Sequence, residues 1–160
     1  MNELAADVMH KNVYTVDPHL KLADLEREFM EKKVSGFPVL DHSKLVGIVS
    51  RSDIVRQLSV EQSLSEMISD YHGDATGVHV DSAESLHEIA TRVGRRLEDL
   101  QVKDVMIRRP ITVKPDDTVQ QVAKVMVASK IHRVLVTDQG QLAGIISTLD
   151  LVKLIAEQKP

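Results

Sequence analysis

The stretch GIVSRSD at residues 47–53 returns as GIISTLD at residues 144–150. The same offset aligns the two ends of the chain without a gap from residue 7 to residue 58. Asp7-Val8-Met9 meets Asp104-Val105-Met106, Thr15-Val16 meets Thr112-Val113, and Pro18 meets Pro115. Val39 and Asp41 meet Val136 and Asp138. Leu45, Gly47, Ile48, Ser50 and Asp53 meet Leu142, Gly144, Ile145, Ser147 and Asp150. One offset held over this span defines two copies of one structural unit.

Each copy has the same grammar. A short extended piece, Tyr14 to Val16 or Ile111 to Val113, runs into a proline. A helix follows, with Leu22, Leu25 and Phe29 on one face and Val119, Val122 and Met126 on its twin. Next come a strand (FPVLD or VLVTD), a turn (HSK or QGQ) and a returning strand (LVGIVS or LAGIIS). A last helix starts at Ser50 or Ser147. A unit this short buries too little surface to be stable alone. The expected fold is therefore α/β (α+β): two pseudo-symmetric β-α-β-β-α repeats packed sheet to sheet, with a ligand-sized cleft at their joint. The repeats are assigned to residues 1–58 and 101–160.

Residues 59–100 have no copy. Val60, Leu64, Met67, Ile68 and Tyr71 share one helical face; Leu86, Ile89, Val93, Leu97 and Leu100 share another. Asp81 and Glu84 have capping-box spacing. The segment reads as an inserted helical hairpin. Its apolar stripe packs on its own chain or serves a dimer or a partner.

Composition narrows the function. Hydrophobic residues make up 42% and charged residues 28%, so the chain is globular. The absence of cysteine excludes disulfides and thiolate metal sites. The N-terminus has no signal-peptide pattern, and no apolar run approaches the roughly 18 residues that span a bilayer. A soluble, cytoplasmic protein without a membrane partner is expected. The net charge of -4 and four aromatics (Tyr14, Phe29, Phe37, Tyr71) argue against nucleic acid. Arg92, Arg95, Arg96, Lys103, Arg108 and Arg109 form a basic cluster, but Glu88, Glu98 and Asp99 dilute it to a solvated face.

The repeated Ser-x-x-Asp carries two readings. Taken singly, each copy is a helix start, with Ser50 or Ser147 as cap and Asp53 or Asp150 in the first turn. Taken together they suit a nucleotide. A helix N-terminus with a hydroxyl attracts phosphate, and a carboxylate there can hold the vicinal hydroxyls of a ribose. Gly47 and Gly144 lie inside strands, where glycine marks a close approach by another backbone or by a ligand. His132 and Arg133 precede a strand of the second copy and add phosphate-pairing charge. The first copy has Ser35 and Gly36 at those places, so the second is better equipped for phosphate. A solvated strand end is the plainer account of His132-Arg133.

These motifs, DVM, TV-x-P, GFPVLD and HRVLVTD, GIVSRSDIV and GIISTLDLV, resemble a tandem pair of CBS domains, or Bateman module, of the stand-alone type. The resemblance covers most of the chain outside the hairpin. It implies an adenosine nucleotide or related adenosyl ligand in the cleft, and regulation of an attached or partner protein. It implies that Asp53 and Asp150 hold ribose, that Ser50 and Ser147 lie near phosphate, and that His132 and Arg133 bind phosphate. It implies that Tyr14, Thr15, Ile111 and Thr112 frame the base, with Phe37, Pro38 and Val134 lining the same region. It also implies a homodimer.

No G-x-S-x-G, P-loop or H-E-x-x-H motif is present, so no enzyme activity is expected. The seven histidines show no metal-ligand spacing; His79 with Asp81 is weak, and Asp116-Asp117 is a helix start. The expectation is a regulatory module that needs no cofactor and binds AMP, ADP or ATP, with S-adenosylmethionine or NAD as further candidates. The alternative is a ligand-free interaction or dimerisation module that works through the hairpin.

Overall fold

The structure is a computed structural model and describes residues 3–60, 63 and 98–157. The hairpin reading, with its stripes from Leu64 to Tyr71 and from Leu86 to Leu97 and its Asp81–Glu84 box, lies outside the described residues. So do Arg92, Arg95, Arg96 and His79.

The first copy comprises α1 (Ala5–Val8), α2 (Leu22–Lys32), β1 (Gly36–Asp41), β2 (Lys44–Ser50) and a helix over 51–60, α3. The second comprises α4 (Val102–Val105), β3 (Thr112–Val113), α5 (Val119–Ser129), β4 (Arg133–Asp138), β5 (Gln141–Ser147) and α6 (Thr148–Glu157). The one-turn helices α1 and α4 fall on the DVM motifs and add to the expected order. β1 and β2 form a two-stranded sheet; β3, β4 and β5 form a three-stranded one. β3 runs parallel to β4, with Thr112 opposite Leu135 and Val113 opposite Val136. The first copy's extended piece makes one parallel bridge, Val16 to Val39.

The paired elements form for the same local reasons. The expected helical faces are the buried ones: Leu22, Leu25 and Phe29 on α2, Val119, Val122 and Met126 on α5. Both helices end on a lysine in the left-handed region, Lys33 and Lys130, each with φ 53°. Their starts differ. Thr118 accepts from the Gln121 N–H while the Gln121 side chain accepts from Thr118, a complete capping box; Lys21 gives α2 no side-chain cap. Both hairpins turn through two residues of positive φ, His42-Ser43 and Gln139-Gly140, which matches the twist of the flanking strands.

Two structural units partition the chain. The first holds Met1–Val16, Pro38–Ile48 and Ile107–Pro160. Its core gathers Ala5, Val113, Val122, Met126, Val134, Val136 and Ile146. Ala5 comes from the first copy, yet it sits among side chains of the second. The backbone explains this. The N–H groups of Ala5 and Ala6 donate to the carbonyls of Asp117 and Pro115, and Val119 N–H donates to Glu3 O. His10 and Ile145 then exchange both backbone hydrogen bonds, at 2.9 and 3.0 Å. Residues 3–10 are thus a strap laid across the second copy.

The second unit holds Asp17–Phe37 and Val49–Met106. It contains the reciprocal strap. Val102 and Lys103 N–H groups donate to Leu20 and Pro18, and Leu22 N–H donates to Leu100 O. Val102 is fully buried, as Ala5 is. Phe29 stacks on Phe37 with ring centroids 4.9 Å apart, and the Arg51 guanidinium lies 5.4 Å from the Phe29 ring centre. Each copy therefore lends its leading segment to the other. This exchange ties the halves of a small protein by backbone bonds as well as by apolar packing.

Candidate functional site

In both copies the repeated Ser-x-x-Asp starts the last helix, as its capping reading expects. Ser147 donates twice to Asp150 Oδ2, from its backbone N–H at 2.8 Å and from its hydroxyl at 2.6 Å. Ser50 does the same to Asp53 Oδ2, at 2.8 and 2.7 Å. The serine proton is directed to the carboxylate. The remaining carboxylate oxygens differ in their partners. Asp53 Oδ1 accepts from Arg56 Nη1 at 3.0 Å, one turn along its own helix. Asp150 Oδ1 lies 2.9 Å from Nε2 of His10, which arrives on the strap from the first copy. The Asp53 side chain is 3% exposed and that of Asp150 10%.

Burial pushes the pKa of Asp150 up, but the hydrogen bonds from the Ser147 hydroxyl and amide, with His10 behind them, outweigh it. The carboxyl sits below its ordinary value of 3.8 and is ionised at neutral pH. An ionised carboxylate is acceptor-only, so Nε2 of His10 carries the proton of their bond.

The sheet brings His132 and Arg133 to the same end. Arg133 is the register partner of Ser147 in the β4–β5 ladder. The backbone N–H and hydroxyl of Thr148, at the first turn of α6, both donate to the His132 carbonyl, at 2.9 and 3.2 Å. His132 and Arg133 are exposed. A strand end with an imidazole and a guanidinium therefore adjoins a helix start that carries a nearly buried carboxylate. One N–H of that helix start is already engaged by the His132 carbonyl.

The other candidates are distributed less simply. Ile111 and Thr112 are exposed beside β4. Val134 is a core residue, 1% exposed, so any part it has in a site belongs to its backbone. Phe37 and Pro38 are likewise buried, Phe37 against Phe29. Tyr14 and Thr15 are exposed. Tyr14, Thr15 and Pro38 fall in the first unit, whereas Phe37, Ser50 and Asp53 fall in the second. The second-copy candidates all fall in the first unit.

A cavity of about 850 Å³ opens at the far end of the β4–β5 hairpin, lined by residues 112–117 and 137–140. Thr112 is its one member among the candidates, and Asp150 is not in its wall. Gly144 marks a close approach, as expected, and what approaches is the strap. A Cβ there would lie 2.7 Å from Met9 Sδ and 2.9 Å from His10 O. Two polar partners escaped the sequence reading. Arg56 had a signal, its i+3 spacing from Asp53. His10 had a weaker one: a polar residue where its twin is Ile107. Among the described residues no group of three or more potential ligands is placed to hold a metal, and no helix is long and apolar enough to cross a membrane.

Two copies of one α/β unit, each with an aspartate locked at the start of its last helix, define the class of protein. The family model for the CBS domain matches residues 5–60 and 102–157, and the chain belongs to the CBS-domain family as a tandem pair. It is 34% identical over 154 residues to the uncharacterized protein MJ1426 of Methanocaldococcus jannaschii, covering 95% of this chain and 90% of that one. It spans less than half the length of two other relatives from that organism. Among solved structures it resembles CBSX2 of Arabidopsis thaliana in complex with AMP, with a TM-score of 0.68, 24% identity and 96% of each chain covered. It also resembles the CBS domain pair of protein MJ0100 in complex with 5'-methylthioadenosine and S-adenosyl-L-methionine. There the TM-score is 0.65 and the identity 20%, with 99% of this chain and 100% of that one covered.

Proposed function

We propose that this chain is a regulatory module that binds an adenosine nucleotide at Asp150 and acts on a partner protein rather than catalysing a reaction. The observation that carries the reading is the grouping of Asp150, Ser147, His132 and Arg133 at one end of the β4–β5 hairpin. The carboxylate suits ribose hydroxyls, and the Arg133 guanidinium with the His132 ring N–H suits phosphate. Ile111 and Thr112 frame the base. The complexes of CBSX2 with AMP and of MJ0100 with adenosyl ligands support an adenosine-type ligand. Among AMP, ADP, ATP, S-adenosylmethionine and NAD, the Arg133 guanidinium and the His132 donor favour those with phosphate. Asp53, with Arg56 folded over it, forms a weaker site. Regulation follows when the ligand contacts two arrangements of the chain differently. The compartment is taken to be the cytoplasm.

A thermal-shift panel of those five ligands tests the reading. Ligand at 100 times its dissociation constant adds about 2.7 kcal/mol, on the order of 5–10 °C for a chain of this size. Asp150→Ala abolishes the shift and Asp53→Ala keeps most of it. The opposite order refutes the site assignment, and no shift with any ligand refutes nucleotide binding.

A second reading, association of two copies, has its own observation. α6 exposes Leu149, Val152 and Ile155, and α3 exposes Val55 and Leu58, the positional twins of Val152 and Ile155. A homodimer would cover such faces, and sedimentation equilibrium reads it directly.

A further inference from the structure

The two oxygens of Asp150 are not equivalent. Each carboxylate oxygen offers about two lone-pair directions. Oδ2 spends both on Ser147, at 2.8 and 2.6 Å. Oδ1 receives His10 Nε2 at 2.9 Å, which leaves one direction open. A ribose presents two adjacent hydroxyl donors, so the carboxylate as it stands can take one of them. The second requires the place that His10 occupies.

His10 is built to give it up. Its side chain is 65% exposed, while its backbone is pinned by the paired bonds to Ile145. The imidazole can therefore swing into solvent by side-chain rotation while the strap stays in place. When it swings back, it returns a donor to a carboxylate that is 10% exposed and ionised. The arrangement is particular to one copy. Ile107, the counterpart of His10, pairs with Ile48 through the same two backbone bonds but has no polar group to offer. Asp53 takes its partner from its own helix instead.

We propose that His10 is a selectivity residue of the Asp150 site: it competes with the ribose diol for Oδ1, so it sets how strongly the site prefers ribose to deoxyribose. The proposal rests on the reading of Asp150 as the ribose grip. It also makes occupancy of a second-copy site felt by a first-copy segment, because the displaced side chain belongs to the strap.

Isothermal titration of AMP and 2'-deoxy-AMP into the wild type, His10→Ala, His10→Gln and Asp150→Ala tests it. Removing the competing hydrogen bond in His10→Ala tightens AMP about fivefold. The deoxynucleotide, which has one hydroxyl and already fits, tightens less than about twofold by the same reasoning. The ribose preference therefore widens. His10→Gln keeps a donor at the position of Nε2 and retains the wild-type preference. The proposal is overturned if His10→Ala binds AMP as the wild type does or more weakly, if both nucleotides shift alike, or if His10→Gln behaves as His10→Ala. When Asp150→Ala loses AMP but His10→Ala matches the wild type, the His10 proposal fails and the ribose grip stands. When no variant binds AMP, the wild type included, both fail.

Discussion

Gly144→Ala places a methyl group where the strap lies. The new Cβ would stand 2.7 Å from Met9 Sδ and 2.9 Å from the His10 carbonyl oxygen. The thioether end can turn aside, but the carbonyl cannot. It accepts from Ile145 N–H at 3.0 Å, and its own residue donates back at 2.9 Å. The strap must retreat by some tenths of an ångström against both bonds. Overpacking of this kind costs about 1–3 kcal/mol. For a chain of this length, 1 kcal/mol moves the melting temperature by roughly 2–4 °C, so a fall of about 2–12 °C is expected. Urea unfolding measures the loss, and amide hydrogen exchange locates it. Protection falls most at His10 and Ile145, the two amides of the exchanged pair. Gly140→Ala is the control: it has φ +81° with nothing within 4 Å, so it costs about 1 kcal/mol from left-handed backbone alone. It leaves exchange at residues 10 and 145 unchanged. If Gly144→Ala is within about 0.5 kcal/mol of the wild type and both amides keep their protection, the strap does not lie against β5.

Two further outcomes follow from local geometry. The Asp150 carboxyl is lowered from 3.8 in the folded chain, so its stabilising contribution is fully present above 3.8 and is lost as pH falls through the folded value. Acid unfolding curves of the wild type and Asp150→Asn should therefore differ above that range and converge below it; curves parallel at every pH would contradict the assignment. Thr118→Ala removes a complete capping box and should cost about 1 kcal/mol in denaturant unfolding, while Lys21→Thr at the uncapped twin should gain a few tenths of that. Equal and negligible effects at both positions would mean that neither helix start depends on its cap.

The contrast between the copies also shows which parts of the molecule a sequence can reveal. The faces of α2 and α5 and both hairpins follow from periodicity and turn chemistry, which act within a few residues. Leu22, Leu25 and Phe29 are buried for that reason, and so are their twins. The exchange of straps is different. Residues 3–10 and 100–107 carry the same DVM pattern, so periodicity fits docking on either copy equally well. Which copy receives each strap is decided by chain geometry far from the motif. For the same reason the sequence marks His10 only as a polar residue where its twin is Ile107, and not its partner, which lies 140 residues away. Ser147 and Asp150 were legible because a helix start needs them locally. Their mutual hydrogen bonding, which turns the serine proton inward, depends on side-chain rotamers that spacing leaves open. Val134 and Phe37 show the converse: they sit where the family pattern lines a ligand, yet each lies in a run of three consecutive buried residues on a strand covered on both faces.

The central claim is that the Asp150 carboxylate grips a ribose. The most direct measurement is a crystal structure of the chain grown with AMP. The account predicts ribose oxygens within hydrogen-bonding distance of Asp150 Oδ1, the His10 imidazole swung clear, and phosphate against His132 and Arg133. AMP bound elsewhere, with the His10–Asp150 bond still at 2.9 Å, would contradict it.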